Sequence, residues 1–169
     1  MAQVSALNGM LADDYDGDGK LDVLINGNDF GPEVSIGRMD ALNGLLLKGD
    51  DKGGFKPLSI LESGIYIPGD GKALVKLKSN QGKYLVAASQ NRDKLKLFGM
   101  EGNRQFLTIN PDDVSVVFQL KDGRVQKEEF YYGQGFLSQS SRDCIVYPDD
   151  AVNVSITNSK GVSRTVVMN

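Results

Sequence analysis

Short apolar runs broken by glycine-rich turns recur along the chain. Leu21-Asp22-Val23-Leu24-Ile25 is rich in branched residues, is closed by Asn26-Gly27, and predicts a buried strand. Farther on, Val114, Val116, Phe118 and Leu120 alternate with polar residues. Asp122-Gly123 then offers a tight turn, and Val125 to Tyr132 returns as the second strand of a hairpin. Residues 150–157 and 163–168 predict two closing strands around Asn158-Ser159-Lys160-Gly161. Asn110-Pro111-Asp112-Asp113 is a turn-rich break and marks a domain boundary.

The pattern has an internal echo. Leu45 to Phe55 reads as two strand edges joined by a Gly-rich turn, and Leu95 to Phe106 repeats it about 50 residues later. The preceding strands also correspond, Leu21 to Asn28 with Tyr84 to Asn91. Repeats of this length built from short strands are the mark of propeller blades, small sheets that need neighbours on their faces. The expected fold is therefore all-β: two propeller-blade-like antiparallel sheets, a partial β-propeller, followed by a C-terminal β domain. The expected limits are 1–62, 63–109 and 110–169. Two blades cannot close a ring, so their edges are expected to be covered by the C-terminal domain, by further blades of a longer chain or by a second copy.

Residues 14–22, Asp-Tyr-Asp-Gly-Asp-Gly-Lys-Leu-Asp, place Asp14, Asp16, Asp18 and Asp22 at loop positions 1, 3, 5 and 9. Alternate side chains of a tightly wound loop converge on one hard cation, and the carbonyl of Lys20 at position 7 adds a further oxygen. Gly19 supplies the positive φ that turns the chain around the ion. An EF-hand would need a bidentate Glu at position 12, which is Ile25 here, so the loop feeds a strand instead of a helix. An isolated Asp-Gly pair is an ordinary polar turn. Four aspartates in register repel one another unless a cation joins them, and the number of protein oxygens favours Ca²⁺ over Mg²⁺. In the second unit Gly69-Asp70-Gly71-Lys72 occupies the corresponding place without flanking carboxylates and reads as a plain turn.

Composition narrows the function. The 169 residues include 20 Gly and carry a formal net charge of −3 with both signs scattered, which gives no basic face for nucleic acid. No apolar stretch has the length of a membrane span, and Met1 to Ser5 lacks the charged and apolar regions of a signal peptide. The chain has no His, and its single cysteine, Cys144, beside Ile145 and Val146, reads as a small buried hydrophobe. Glu62, Glu128 and Glu129 are the carboxylates a glycosidase would need, but solvated charges on strand faces explain them equally. The expectation is that the chain is not an enzyme.

The run from Asp14 to Asn28, followed by Leu45 to Phe55, resembles an FG-GAP or VCBS repeat, the calcium-loop blade of integrin α-chain propellers and many bacterial surface proteins. Lys121 to Gln126 and Gly133 to Arg142 resemble the motif of the ASPIC/UnbV domain, which commonly follows such repeats. The resemblance implies an extracellular or cell-surface module with calcium-braced blades. The second blade departs from it in lacking metal ligands, and the Gly-Leu-Gly segment that often ends the C-terminal motif is absent. Ser138, Gln139 and Ser140 could hold a polar ligand, with Tyr131 or Tyr132 stacking on a sugar; satisfying exposed backbone and packing a core are the competing roles. The expected function is a non-catalytic, calcium-binding recognition module for protein or glycan. The alternatives are a structural display or linker domain, or an accessory domain of a carbohydrate-processing enzyme.

Overall fold

The structure is a computed structural model that describes residues 5–50, 52–100, 104–133, 135, 137–147 and 151–166. It is all-β with several antiparallel sheets, none closed into a barrel among the described residues. The chain forms two compact units, residues 1–100 with 133–141, and residues 101–132 with 142–169.

In the first unit, β1 (Leu7–Asp13), β2 (Asp22–Gly27), β3 (Leu45–Gly49) and β4 (Phe55–Pro57) form one sheet in sequence order. The only helix among the described residues, α1 (Ile60–Ser63), is a single turn held by a capping box between Ser59 and Glu62. A second sheet follows, again in sequence order: β5 (Asp70–Lys78), β6 (Tyr84–Asn91) and β7 (Lys96–Gly99). The branched run predicted as a strand is β2, whose Leu24, Ile25 and Asn26 are buried. Leu24, Leu42, Ile65, Ile67, Leu74, Val86 and Ala88 supply the core. Polar ties join the sheets: Asn8 Nδ2 donates to the Gly71 carbonyl at 2.8 Å, and the Tyr84 hydroxyl donates to Asp13 Oδ2 at 2.8 Å.

Gly69-Asp70-Gly71-Lys72 is not the turn the sequence suggests, since Asp70 to Lys72 open β5 and Gly71 pairs with Gln90. Glycine is required there by close approach instead of turn geometry. A Cβ on Gly71 would lie 3.0 Å from Asn26 Nδ2 and from the Gly27 carbonyl oxygen. The segment from Leu95 to Phe106 also departs from expectation, because its two strand edges do not pair with each other. β7 pairs with β6, and the next strand, β8 (Gln105–Thr108), belongs to the second unit.

That unit holds β8, β9 (Asp113–Leu120), β10 (Val125–Glu129), β11 (Asp143–Val146), β12 (Ala151–Asn158) and β13 (Ser163–Val166). The strand order is β10-β9-β12-β13 in one sheet and β11-β8 in the other. The predicted hairpin is β9–β10, turning at Gly123 with φ 87°. The predicted closing strands are β12 and β13, although Asp150, Val167 and Met168 lie outside the described residues. Val116, Phe118, Phe130, Cys144, Val146, Val154 and Ile156 form the core, with Cys144 buried as a small hydrophobe. Beside this core Asp113 is buried, and both its oxygens take Arg164, Nη1 to Oδ1 at 2.5 Å and Nη2 to Oδ2 at 2.5 Å.

Candidate functional site

The antiparallel register of β1 and β2 pairs Asp13 with Asp22 and leaves the acidic loop as the connection between them. Gly19 takes φ 78°, the left-handed conformation the sequence required of it, and Gly17 takes φ 78° as well. Asp14 is buried beneath the loop, where its Oδ1 accepts from the Gly17 and Asp18 amides at 2.7 and 3.2 Å. Its Oδ2 accepts from the Gly19 amide at 2.8 Å. Burial pushes the Asp14 carboxyl above its ordinary pKa, the Gly19 and Gly17 amides oppose this, and the charges of Asp18 and Asp16 add to the rise.

One carboxylate oxygen from each of Asp14, Asp16 and Asp18 lies within 4.8 Å of the other two. Two oxygens bound to one calcium ion at about 2.4 Å each are at most about 4.8 Å apart, so the spacing suits a shared hard cation. The three carboxylates could therefore hold a metal ion. Lys20 closes the loop, its amide donating to Asp18 Oδ1 at 3.0 Å and its ammonium standing 3.6 Å from Asp18 Oδ2.

Asp22 is not among the three converging residues. It is buried, with Oδ2 accepting from the Tyr15 amide at 3.0 Å and Oδ1 from the Gly49 amide at 2.9 Å, which ties the loop to the end of β3. Burial raises its pKa, against the two amides.

A residue the sequence reading missed stands at the cluster. Lys48, on β3, places its ammonium against Asp16 Oδ2 and 3.0 Å from Asp18 Oδ2. The hydrogen bonds its ammonium donates to Asp16 and then to Asp18 hold the Lys48 pKa above its ordinary value. Burial raises Asp18, but Lys48 and the Lys20 amide outweigh it and hold that carboxyl below the usual range. No local motif marks Lys48. Its role follows from the β2–β3 register, which pairs Val23 with Leu47.

The residues considered for a polar ligand fall in different units. Tyr131 and Tyr132 are exposed members of the second, while Ser138, Gln139 and Ser140 belong to the first. One face of Tyr132 is covered by the guanidinium of Arg142, 4.3 Å from the ring centroid. Phe130 packs inward, and Phe136 lies outside the described residues. Ser140 is buried, and its hydroxyl accepts from the Lys76 amide at 3.0 Å, completing the edge of β5. Gln139 accepts from the Gly133 amide and donates to the Ser140 carbonyl at 3.0 Å. Of the carboxylates weighed for hydrolysis, Glu62 caps α1, and Glu129 on β10 pairs with Lys127 at 2.5 Å, next to Glu128.

Comparison with known families, curated proteins and solved structures finds no match to this chain. No described helix is long and apolar enough to cross a membrane.

Proposed function

We propose that the chain is a non-catalytic recognition module of the extracellular or cell-surface kind, in which Ca²⁺ at the β1–β2 loop braces a blade-like sheet. The convergence of Asp14, Asp16 and Asp18 is the observation that carries this reading. Hard carboxylate oxygens in a flexible loop suit Ca²⁺, with the Lys20 carbonyl as a further donor. The sequential order of β1-β2-β3-β4 and of β5-β6-β7 is that of propeller blades, which supports the likeness to FG-GAP or VCBS repeats. The ASPIC/UnbV likeness of the C-terminal part rests on its sequence motif. The exposed Tyr131 and the exposed face of Tyr132 offer rings to a protein or glycan.

A second reading, a purely structural display domain, is favoured by the hydrogen bonds that Gln139 and Ser140 already make to backbone. Two measurements separate these. Calcium at about 100 times its dissociation constant adds about 2.7 kcal/mol if only the folded chain binds it. Identical melting midpoints in calcium and in chelator would remove the cation from the reading. A glycan and surface-protein array should give hits that weaken in Tyr131→Ala or Tyr132→Ala, and an array without hits favours the display domain.

A further inference from the structure

The first unit contains a cavity of about 420 Å³ well away in sequence from the acidic loop, within the size range of small-molecule sites. Its floor is Gly69 and Asp70, and buried side chains fix both. The Gly69 amide donates to Gln90 Oε1 at 2.7 Å, and its carbonyl accepts from Asn28 Nδ2 at 3.0 Å. Asn28 and Gln90 are themselves buried, and Gln90 Nε2 donates onward to the Lys94 carbonyl at 2.8 Å. A side chain at Gly69 is excluded, because a Cβ there would stand 2.5 Å from Gln90 Oε1 and 3.2 Å from Asp93 Oδ2. Asp70 Oδ1 stands 2.5 Å from the Lys72 ammonium without a hydrogen bond, and Oδ2 accepts from Asn91 Nδ2 at 3.1 Å. The floor is thus preorganised before any ligand arrives.

The walls carry unspent charge. Arg38 stacks on Phe30, its guanidinium 5.0 Å from the ring centroid, which orients the planar fork. Arg92, also in the lining, takes φ 58°, an uncommon left-handed conformation for a side-chain-bearing residue. Strain of this kind gathers at ligand clamps. Neither guanidinium forms an ion pair among the described residues. Asp93 gives one oxygen to the Lys94 amide at 2.6 Å and lines the cavity beside Asn91.

We infer that this cavity binds a small carboxylated sugar, with the carboxylate on Arg38 and Arg92 and hydroxyls on Asp93 and the Asn91 carbonyl oxygen. Each part of the lining selects against a simpler ligand. A bare phosphate would meet the Asp93 carboxylate, whereas a neutral sugar would leave both guanidinium forks unused. A hydroxylated carboxylate uses all four groups. The inference rests on the recognition reading for the presence of a ligand, and differs from it in naming the ligand class and the place.

The test is titration of the full chain with D-glucuronate, D-glucose and inorganic phosphate, in chelator, followed by amide NMR shifts. Glucuronate should give saturable shifts at Phe30, Gly69 and residues 91–93, with affinity about tenfold or more above glucose and phosphate. Arg38→Gln and Arg92→Gln, both at exposed positions, should each weaken it about tenfold while leaving the melting midpoint in place. Absence of saturable shifts, equal response to glucose or phosphate, or unchanged affinity in both variants would overturn the inference. Because chelator is present throughout, a silent cavity leaves the calcium and array measurements standing, and their failure leaves the cavity measurement readable.

Discussion

Lys48→Met tests whether the β3 ammonium and a bound cation compete for the same two carboxylates. The substitution keeps the aliphatic stem and removes the charge that meets Asp16 Oδ2 and Asp18 Oδ2. Both pairs are partly exposed, with 36 % exposure at Lys48 against 42 % and 28 % at the aspartates, so solvent screens them. Screened pairs contribute about 0.2–1 kcal/mol each, which puts the loss in chelator at about 1 kcal/mol for the two. For a unit of this size that lowers the melting midpoint by about 4 °C. A divalent cation has to displace the ammonium from the wild-type chain but not from the variant. The same 1 kcal/mol or so then returns as about fivefold tighter calcium binding. Calorimetric titration and melting in chelator and in saturating calcium read the two halves of this cycle. A wild-type chain that binds calcium with the same affinity as Lys48→Met, and melts with it in chelator, would show that ammonium and ion do not share a seat.

Two further outcomes follow from buried polar groups. Asn28→Ala removes the partners of the Leu42 amide at 3.0 Å and the Gly69 carbonyl at 3.0 Å, and leaves an alanine at φ 87°. Chemical denaturation should show a loss of about 3 kcal/mol or more, and a loss below about 1 kcal/mol would refute the role given to this amide. Arg164→Met leaves the buried Asp113 carboxylate without its bidentate partner and should cost about 3 kcal/mol at neutral pH. Arg164 holds the Asp113 carboxyl below its ordinary value of 3.8, so the folded pKa lies under the unfolded one. The pair's contribution is therefore complete above about pH 4 and fades as pH falls through the folded pKa. Wild type and variant should converge in urea titrations at low pH, and a constant gap down to about pH 2 would contradict the assignment.

Much of the fold was legible because its strands carry local signals. The branched residues of β2, the alternation along β9 and the glycines that close the hairpins each act within a few positions. The acidic loop was legible for the same reason, since Asp14, Asp16 and Asp18 owe their convergence to spacing and to two left-handed glycines. What was hidden depends on long-range contact. Asp22 is a ligand candidate by position, and its tie to the Gly49 amide on β3 is visible only in the fold. Lys48 becomes the cluster's neighbour only through strand register. Gly71 imitates turn chemistry while serving a close approach to β2, and the bond from the Lys76 amide of β5 to the Ser140 hydroxyl joins positions 64 residues apart.

The chain passes from one unit to the other after Met100, returns after Tyr132, and leaves again after Ser141. Synthesis on the ribosome therefore delivers the parts out of order. When the first 100 residues have emerged, β5 still lacks the Ser140 hydroxyl and the Ser141 amide that its Lys76 amide and carbonyl engage. By the time residues 133–141 arrive, β9 and β10 are present, but β12, which lies beside β9, is not. Neither unit is whole until most of the chain exists. A stop codon anywhere between residues 101 and 132 yields no complete unit, so a nascent chain halted there presents unsatisfied strand edges to whatever surrounds it.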